Sequence, residues 1–363
     1  MDAAKEIIAK LDLQIADRSL GNPYFRDPDV VVFPFKKESF FPVKPIKSDR
    51  KIAFVDGGNL ELLGAPNFSV QLNRIYSCVW KDNQRCNPVG ISEIEFFSAI
   101  YSVVKNGEIS FESIIVPTTP EFSSFLPDAS ELVMKYSEHQ NEAGTFTTTT
   151  SMLASVVRSV AEWKFAEKVA ALLDQDDVIV LDGSLQVFQR GWKYFLALEK
   201  MTKEKGVILT SLSKTSMLFT DTGSSVFGAI SEFANSLNIE GEWYHPIFES
   251  HKHHVFCVAV KLKAFSDWVF RLDFQLDQWK HLDEDKLSTI LNLFCRNSSD
   301  PTFPGYPYGL VDADLFSRVS KNEIDYYRAL ISSQISALNR QGKYLPYIRA
   351  ADAHNLLNTI AGF

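Results

Sequence analysis

Two aspartates open the chemical reading. Asp56 in "KIAFVDGGNL" (51–60) and Asp182 in "DDVIVLDGSL" (176–185) each follow four apolar residues and precede glycine. Apolar runs of that length, rich in β-branched residues and bounded by glycine, read as strands, and the glycines let the backbone turn sharply out of the sheet. An aspartate at such an end stands just past the core, where its carboxylate can face a cleft. Two strand-end carboxylates joined by a third from a helix would make an oxygen-only site. Such a site suits Mg²⁺ or Mn²⁺ and can carry two ions about 3.5–4 Å apart for in-line phosphoryl transfer. The same dipeptides also fit two ordinary turns.

Cations lie within reach of this chemistry in the sequence. Lys214 in "SLSKTS" follows an apolar strand, where it can neutralise a phosphate or the charge that develops in phosphoryl transfer, or else snorkel at the surface. Arg271 in "FRLDF" is open to the same two readings, and both residues are candidate DNA contacts. His251, His253 and His254 in "ESHKHHVF" have no Cys or carboxylate at metal spacing and read as exposed polar residues. Trp163, Trp192, Trp243 and Trp268 read as core residues rather than base-stacking platforms.

The elements that must position these groups follow from periodicity. Ile7, Ile8, Leu11 and Ile15 recur at helical spacing, so residues 1 to 18 form an amphipathic helix. From Asn22 to Arg50 come five prolines, many phenylalanines and basic residues, which predict an extended arm that covers the core or touches DNA or a partner. "FSVQLNRIYSCVW" and "ISEIEFFSAIYSVVKNGEISFESIIVP" are antiparallel strand signals after the first Asp-Gly. "SMLASVVRSVAEWKFAEKVAALLDQ" is a long helix leading into the second Asp-Gly strand, "FQRGWKYFLALEKMTKEK" is a further helix, and "GVILTSLSKTS" is another strand. "HHVFCVAVKLKAFSDWVFRLDF" reads as two more strands with a bend. The plan is α/β with a mixed sheet flanked by helices.

Composition bounds the function. A chain of 363 residues with 45% hydrophobic and 23% charged content can bury a large core. It holds no uninterrupted apolar run of the roughly 18 residues a membrane span needs, and no signal-peptide core, so the expected location is the cytoplasm. Cys78, Cys86, Cys257 and Cys295 match neither zinc spacing nor a dense disulfide framework, and are expected as reduced thiols. The net charge of −8 argues against non-specific coating of nucleic acid but allows a local basic channel.

"FVDGG", "AEWKFAEKVAALLDQDDVIVLDGSL", "VILTSLSKTS", "VFRLDF" and "GYPYGLVDADLFSRVS" occur in an order and with a character that resemble the NurA nuclease family, from Lys51 to about Leu330. The resemblance implies an RNase H-like core over residues 51–335, between the helix and arm of 1–50 and a helical tail at 336–363. It further implies DNA as substrate, Mn²⁺ or Mg²⁺ as cofactor with two ions, and 5′–3′ exonuclease and single-strand endonuclease activity. A homodimer working beside the hexameric HerA translocase ATPase in DNA-end resection and double-strand break repair completes the expectation.

Carried over by residue, Asp56 and Asp182 resemble the strand-borne ligands, and Glu162 of "AEWKFA" resembles the helix-borne carboxylate. Arg158 and Lys164 nearby leave a solvated helix face as the other reading of Glu162. The last position departs from the family pattern. Where a histidine is expected after "GYP", this chain has Asp314, with Asp312 two residues earlier. Aspartate can ligate a hard cation, yet it cannot serve as neutral imidazole would near pH 7. Asp352 and His354 in the tail "RAADAHNLLNTI" are alternatives for that role, or else capping or surface residues.

Two rivals differ in class. An actin-like phosphotransferase would need duplicated glycine-rich phosphate loops, which do not follow the two Asp-Gly segments. A non-catalytic NurA-like adaptor that binds DNA or the translocase is favoured by the missing histidine. For partner contact, the N-terminal helix and Phe33, Phe35, Phe40 and Phe41 of the arm are the apolar candidates.

Overall fold

The computed structural model describes residues 2–15, 19–86, 90–138, 149–186 and 189–348. Asp352 and His354 lie outside these residues. The chain opens with helix α1 (Asp2–Ile15), followed by the short arm strands β1 (Val30–Val32) and β2 (Phe41–Pro42). A meander comes next, built from β3 (Ile52–Ala65), β4 (Phe68–Lys81), β6 (Glu93–Lys105) and β7 (Glu108–Pro117). Two-residue strands β5 (Gln84–Arg85) and β8 (Met134–Lys135) pair along it. Helix α2 (Thr150–Ala170) leads to β9 (Val178–Asp182), and α3 (Trp192–Lys205) leads to β10 (Ile208–Ser213). After α4 (Val226–Ser236) come β11 (Trp243–Ser250), β12 (Val255–Lys261) and β13 (Phe270–Gln275). The described chain finishes in helices α5 (Leu276–Trp279), α6 (Glu284–Asn297), α7 (Tyr308–Ser317) and α8 (Lys321–Ala337), with a further helical stretch at 341–348.

The strands form one sheet in the order β1-β11-β12-β13-β10-β9-β3-β4-β6-β7-β8. Its centre, β6-β4-β3-β9-β10, has the first three strands antiparallel and β3, β9 and β10 mutually parallel. That is the 3-2-1-4-5 order of an RNase H-like core, with β13, β12 and β11 added beyond its last strand. Helices cover both faces, which is why the central strands read as continuous apolar runs instead of alternating ones. Ala53 and Val55 face the layer of α2 and α3, whereas Ile52 and Phe54 face that of α6 and α7.

Two expectations change and one open choice is decided. The glycines after Asp56 do not turn the chain. β3 continues through them to Ala65, with Gly57 opposite Ile75 and Gly58 opposite Arg74, because β4 offers a full-length partner. The arm covers the core. Phe33 packs on Phe256 with ring centroids 5.5 Å apart, Phe35 faces Phe233, and Phe40 meets Trp243 edge-on at 4.9 Å, so of the four arm phenylalanines only Phe41 is exposed. Third, Trp163, Trp192 and Trp243 pack into the interior but Trp268 is 55% exposed. The apolar residues of α1 are exposed as a set.

Candidate active site

The parallel pairing of β3 with β9 runs from Ile52↔Val178 to Val55↔Leu181. Asp56 and Asp182 are therefore the next residues on adjacent strands. Side chains alternate with period two, so both aspartates continue the face that carries Ile52, Phe54, Val178 and Val180. Helix α7 crosses that face. It comes close because Gly309 sits against the Phe54 ring, where a Cβ would overlap the aromatic carbons. Asp314 is thereby laid over the strand ends, and carboxylate oxygens of Asp56, Asp182 and Asp314 all lie within 4.8 Å of one another.

Lys214, one residue past β10, points into this cluster. Its Nζ donates to Asp182 Oδ2 at 3.2 Å and to Asp314 Oδ1 at 3.0 Å, which replaces the surface-snorkelling reading. Burial works against its charge, yet Asp182 and the bond to Asp314 outweigh that and hold its pKa above the ordinary lysine value. The buried Tyr306 hydroxyl donates to Asp182 Oδ1 at 3.2 Å, and burial beside Asp182 pushes its pKa up, so it stays protonated. Arg318 pairs with Asp314 from the solvent side. Asp56 is 7% exposed and accepts the Gly57 N–H at 2.7 Å. Burial first, then the charges of Asp182 and Glu162, push its pKa up to about 8.

Glu162 lies on the other side of the strand. Asp56 faces α7, so Gly57 faces α2, and a Cβ at Gly57 would overlap the Glu162 carboxylate and stand 2.9 Å from its Cγ. The glycine thus gives Glu162 its place. Arg158, one helical turn earlier, pairs with Glu162 and donates to the Gly57 carbonyl at 2.9 Å. That carbonyl lies beyond the pairing with β9, which ends at Val55. Glu162 is therefore no solvated helix face, and burial pushes its pKa up to about 7 against the opposing charge of Arg158. It stands beside the cluster of three, outside the 4.8 Å set found among the described residues.

Other sequence candidates are placed differently. Two residues on a helix are roughly 200° apart, so Asp312 faces away from Asp314 and meets Arg85 at 3.4 Å. Arg271 is buried in a two-pronged pair with Asp273, both bonds 2.8 Å, and donates to Gln186 at 2.9 Å. Three of its five N–H donors are taken up inside the protein, and its edge lines the hollow beside Asp182. Tyr306 and the pairing role of Arg158 escaped the sequence reading. The "GYP" element was the only available signal for the tyrosine, and the i, i+4 spacing for the arginine.

The donor set fits a hard cation. Among the described residues three carboxylates converge with no soft ligand, and Lys214 and the exposed Arg318 pair with them at close range. Burial first, and then the neighbouring carboxylates, disfavour the charged form of Asp56, which a bound cation would favour. Asp56, Asp182 and Asp314 could hold a divalent ion such as Mg²⁺ or Mn²⁺.

No curated protein matches the sequence. Among solved structures, the chain is similar to Ciona intestinalis endonuclease V in complex with a DNA 24-mer containing inosine, at 12% identity and a TM-score of 0.36, covering 74% of this chain and 84% of that one. The catalytic domain of human endonuclease V gives 11% identity and a TM-score of 0.34, over 92% and 99% of the two chains. A. aeolicus Argonaute gives 13% and 0.30, over 77% and 30%. Nothing here rests on likenesses that distant. The family model for the NurA domain matches residues 50–319, which takes in β3 to α7 and every residue of the acidic cluster. The chain belongs to the NurA family of nucleases.

Proposed function

We propose that this nuclease hydrolyses DNA with a divalent ion, Mn²⁺ or Mg²⁺ and two ions in the working site, held by Asp56, Asp182 and Asp314 with Glu162 at their side. The convergence of three carboxylates from β3, β9 and α7 is the observation that carries the reading. Bound there, the metal would supply charge neutralisation and polarisation of the phosphodiester. The chain's own groups set the rest. Tyr306 keeps its proton and fixes the Asp182 carboxylate, while Arg158 holds Glu162 against Gly57. Lys214 keeps an ammonium between Asp182 and Asp314, from which it can turn to a substrate phosphate and offset charge in the transition state.

Asp314 stands in place of the family's histidine, so in this reading the fourth position serves charge rather than proton transfer. Membership of the family supports the finer proposal. The protein acts as a 5′–3′ exonuclease and single-strand endonuclease in DNA-end resection and double-strand break repair. It does so as a cytoplasmic homodimer that receives DNA from a HerA-type hexameric ATPase. Among the described residues no helix is long and apolar enough to cross a membrane. The net charge of −8 gives the chain little general attraction for DNA, which fits delivery by a partner.

The test is cleavage of a labelled linear duplex and a labelled single strand with Mn²⁺, Mg²⁺ or EDTA. Cleavage that needs the ion and is lost in Asp182→Asn is the expected outcome. Cleavage unchanged in EDTA would remove the metal from the account, and no cleavage under any condition would favour an adaptor.

A further inference from the structure

An open groove of about 560 Å³ leads away from the acidic cluster. Its inner wall, Ser213, Lys214, Thr215 and Ser216, is also a wall of the hollow that holds Asp182, so the two spaces adjoin. Trp268 stands on the outer part of the groove. More than half of this large apolar side chain is exposed, which forfeits the burial a core position would give. Yet the ring is held. It stacks on Phe270 with centroids 6.4 Å apart and planes at 15°, and meets Phe303 edge-on at 5.8 Å. Its backbone N–H donates to Ser266 Oγ at 3.2 Å, and the Ser266 hydroxyl donates to the Pro304 carbonyl at 2.9 Å. Phe303 in turn stacks on Tyr306 at 4.9 Å, and Tyr306 holds Asp182. A chain of packed rings thus ties an exposed indole to a residue of the acidic cluster.

We propose that Trp268 is a stacking platform for one unpaired base of a single strand whose scissile phosphate lies at Asp56, Asp182 and Asp314. The inference rests on the nuclease reading above. The hydroxyls of Thr215 and Ser216 suit the sugar and phosphate next to the cluster, whereas Ser213 donates its own to the Gly183 carbonyl at 2.6 Å. Further out, Glu232 and Asp267 repel phosphate but can accept from base N–H groups, so the outer groove receives a base and not the backbone. A base within a duplex has both faces covered by its neighbours, and only an unpaired one can lie on the indole. Such stacking tolerates any sequence, since every base has a π face.

Binding is measured without cleavage, in EDTA, by anisotropy of a short labelled oligothymidylate. Trp268→Ala should bind about tenfold more weakly, and Trp268→Phe should keep most of the affinity. An oligonucleotide with a single abasic site placed over the groove should cost the wild type a similar factor and cost Trp268→Ala nothing more. Thermal melts check that each variant is folded; should the alanine variant unfold, Trp268→Leu keeps bulk without a π face and serves instead. Unchanged affinity in the folded variant, while the wild type binds, overturns the platform and leaves the nuclease reading standing. A wild type that binds no oligonucleotide at all also overturns the platform; the nuclease reading falls separately, on absence of cleavage with Mn²⁺ and Mg²⁺.

Discussion

Asp56-Gly57 and Asp182-Gly183 are the same dipeptide at the ends of the same parallel strand pairing, and the glycines do different work. At Asp56 the strand runs on, and Gly57 and Gly58 supply space. A side chain at Gly57 would enter Glu162, and a Cβ at Gly58 would stand 2.6 Å from the Ser317 backbone oxygen. At Asp182 the strand ends, and Gly183 supplies conformation. Its φ is +98°, and nothing lies within 4 Å of where a Cβ would be. One glycine pair lets two helices close on a carboxylate from opposite faces of the sheet. The single Gly183 lets the chain leave it. Adding a methyl group at each position should therefore do three different things.

Gly58→Ala should do the most damage. The obstacle is backbone at the end of α7, so the helix carrying Asp314 must move. Overpacking of this kind costs about 1–3 kcal/mol of stability, and cleavage should fall by more than the roughly 100-fold that losing a ligand's supporting partner can cost. Full activity in Gly58→Ala would show that α7 is not needed in place. Gly57→Ala meets a side chain instead, and Glu162 can swing away from Arg158. Here cleavage should fall by about 10- to 100-fold with little change in melting temperature; a large loss of stability with activity kept would reverse the assignment of Glu162.

Gly183→Ala should be milder and opposite in kind. Left-handed backbone costs a side chain about 1–2 kcal/mol, so melting temperature drops while cleavage per folded molecule is preserved. If activity fell as far as in Gly57→Ala, the distinction between space and conformation would fail.

A smaller effect separates the cluster from the rest of the molecule by pH. Asp56 and Glu162 have folded-state pKa values raised from 3.8 to about 8 and from 4.5 to about 7. Between those limits these two groups bind more protons in the folded chain than in the unfolded one, so without metal their contribution to stability falls as pH rises from about 4 to about 8, against an opposite contribution from His245 and His253, whose pKa values burial lowers. Melts in EDTA should show that decline, Asp56→Asn should reduce it to the part due to Glu162, and Mn²⁺ should raise the melting temperature more at pH 8 than at pH 5. A wild-type profile that climbs over this range would contradict the burial of uncompensated carboxylates.

Much of this was legible in residues 51–60 and 150–213, where apolar runs of strand length and one long helical pattern set out β3, α2, β9 and β10 in order. Asp56 and Asp182 were candidates by position, and the family resemblance supplied their role as ligands. The course of β3 was not, because Gly57-Gly58 signals a turn locally and only the fourteen-residue β4 beside it keeps the chain extended. Strand β11 was unread since Pro246 and the polar residues around it hide a buried pattern. Asp314 came through resemblance to a family motif; no spacing links it to residues more than a hundred positions away. Trp268 looked like core because nothing in its neighbours marks exposure, which is set by how the 303–306 segment packs beneath it.

The central claim is that Asp56, Asp182 and Asp314 together hold the ion, and direct Mn²⁺ binding tests it most plainly. Titrating the protein into Mn²⁺ and following the spin resonance of the free ion reads binding with no substrate and no turnover. The wild type should deplete the free signal, and Asp56→Asn combined with Asp182→Asn, folded by thermal melt, should leave it untouched. Equal depletion by the wild type and the double variant would place the ion elsewhere and contradict the account.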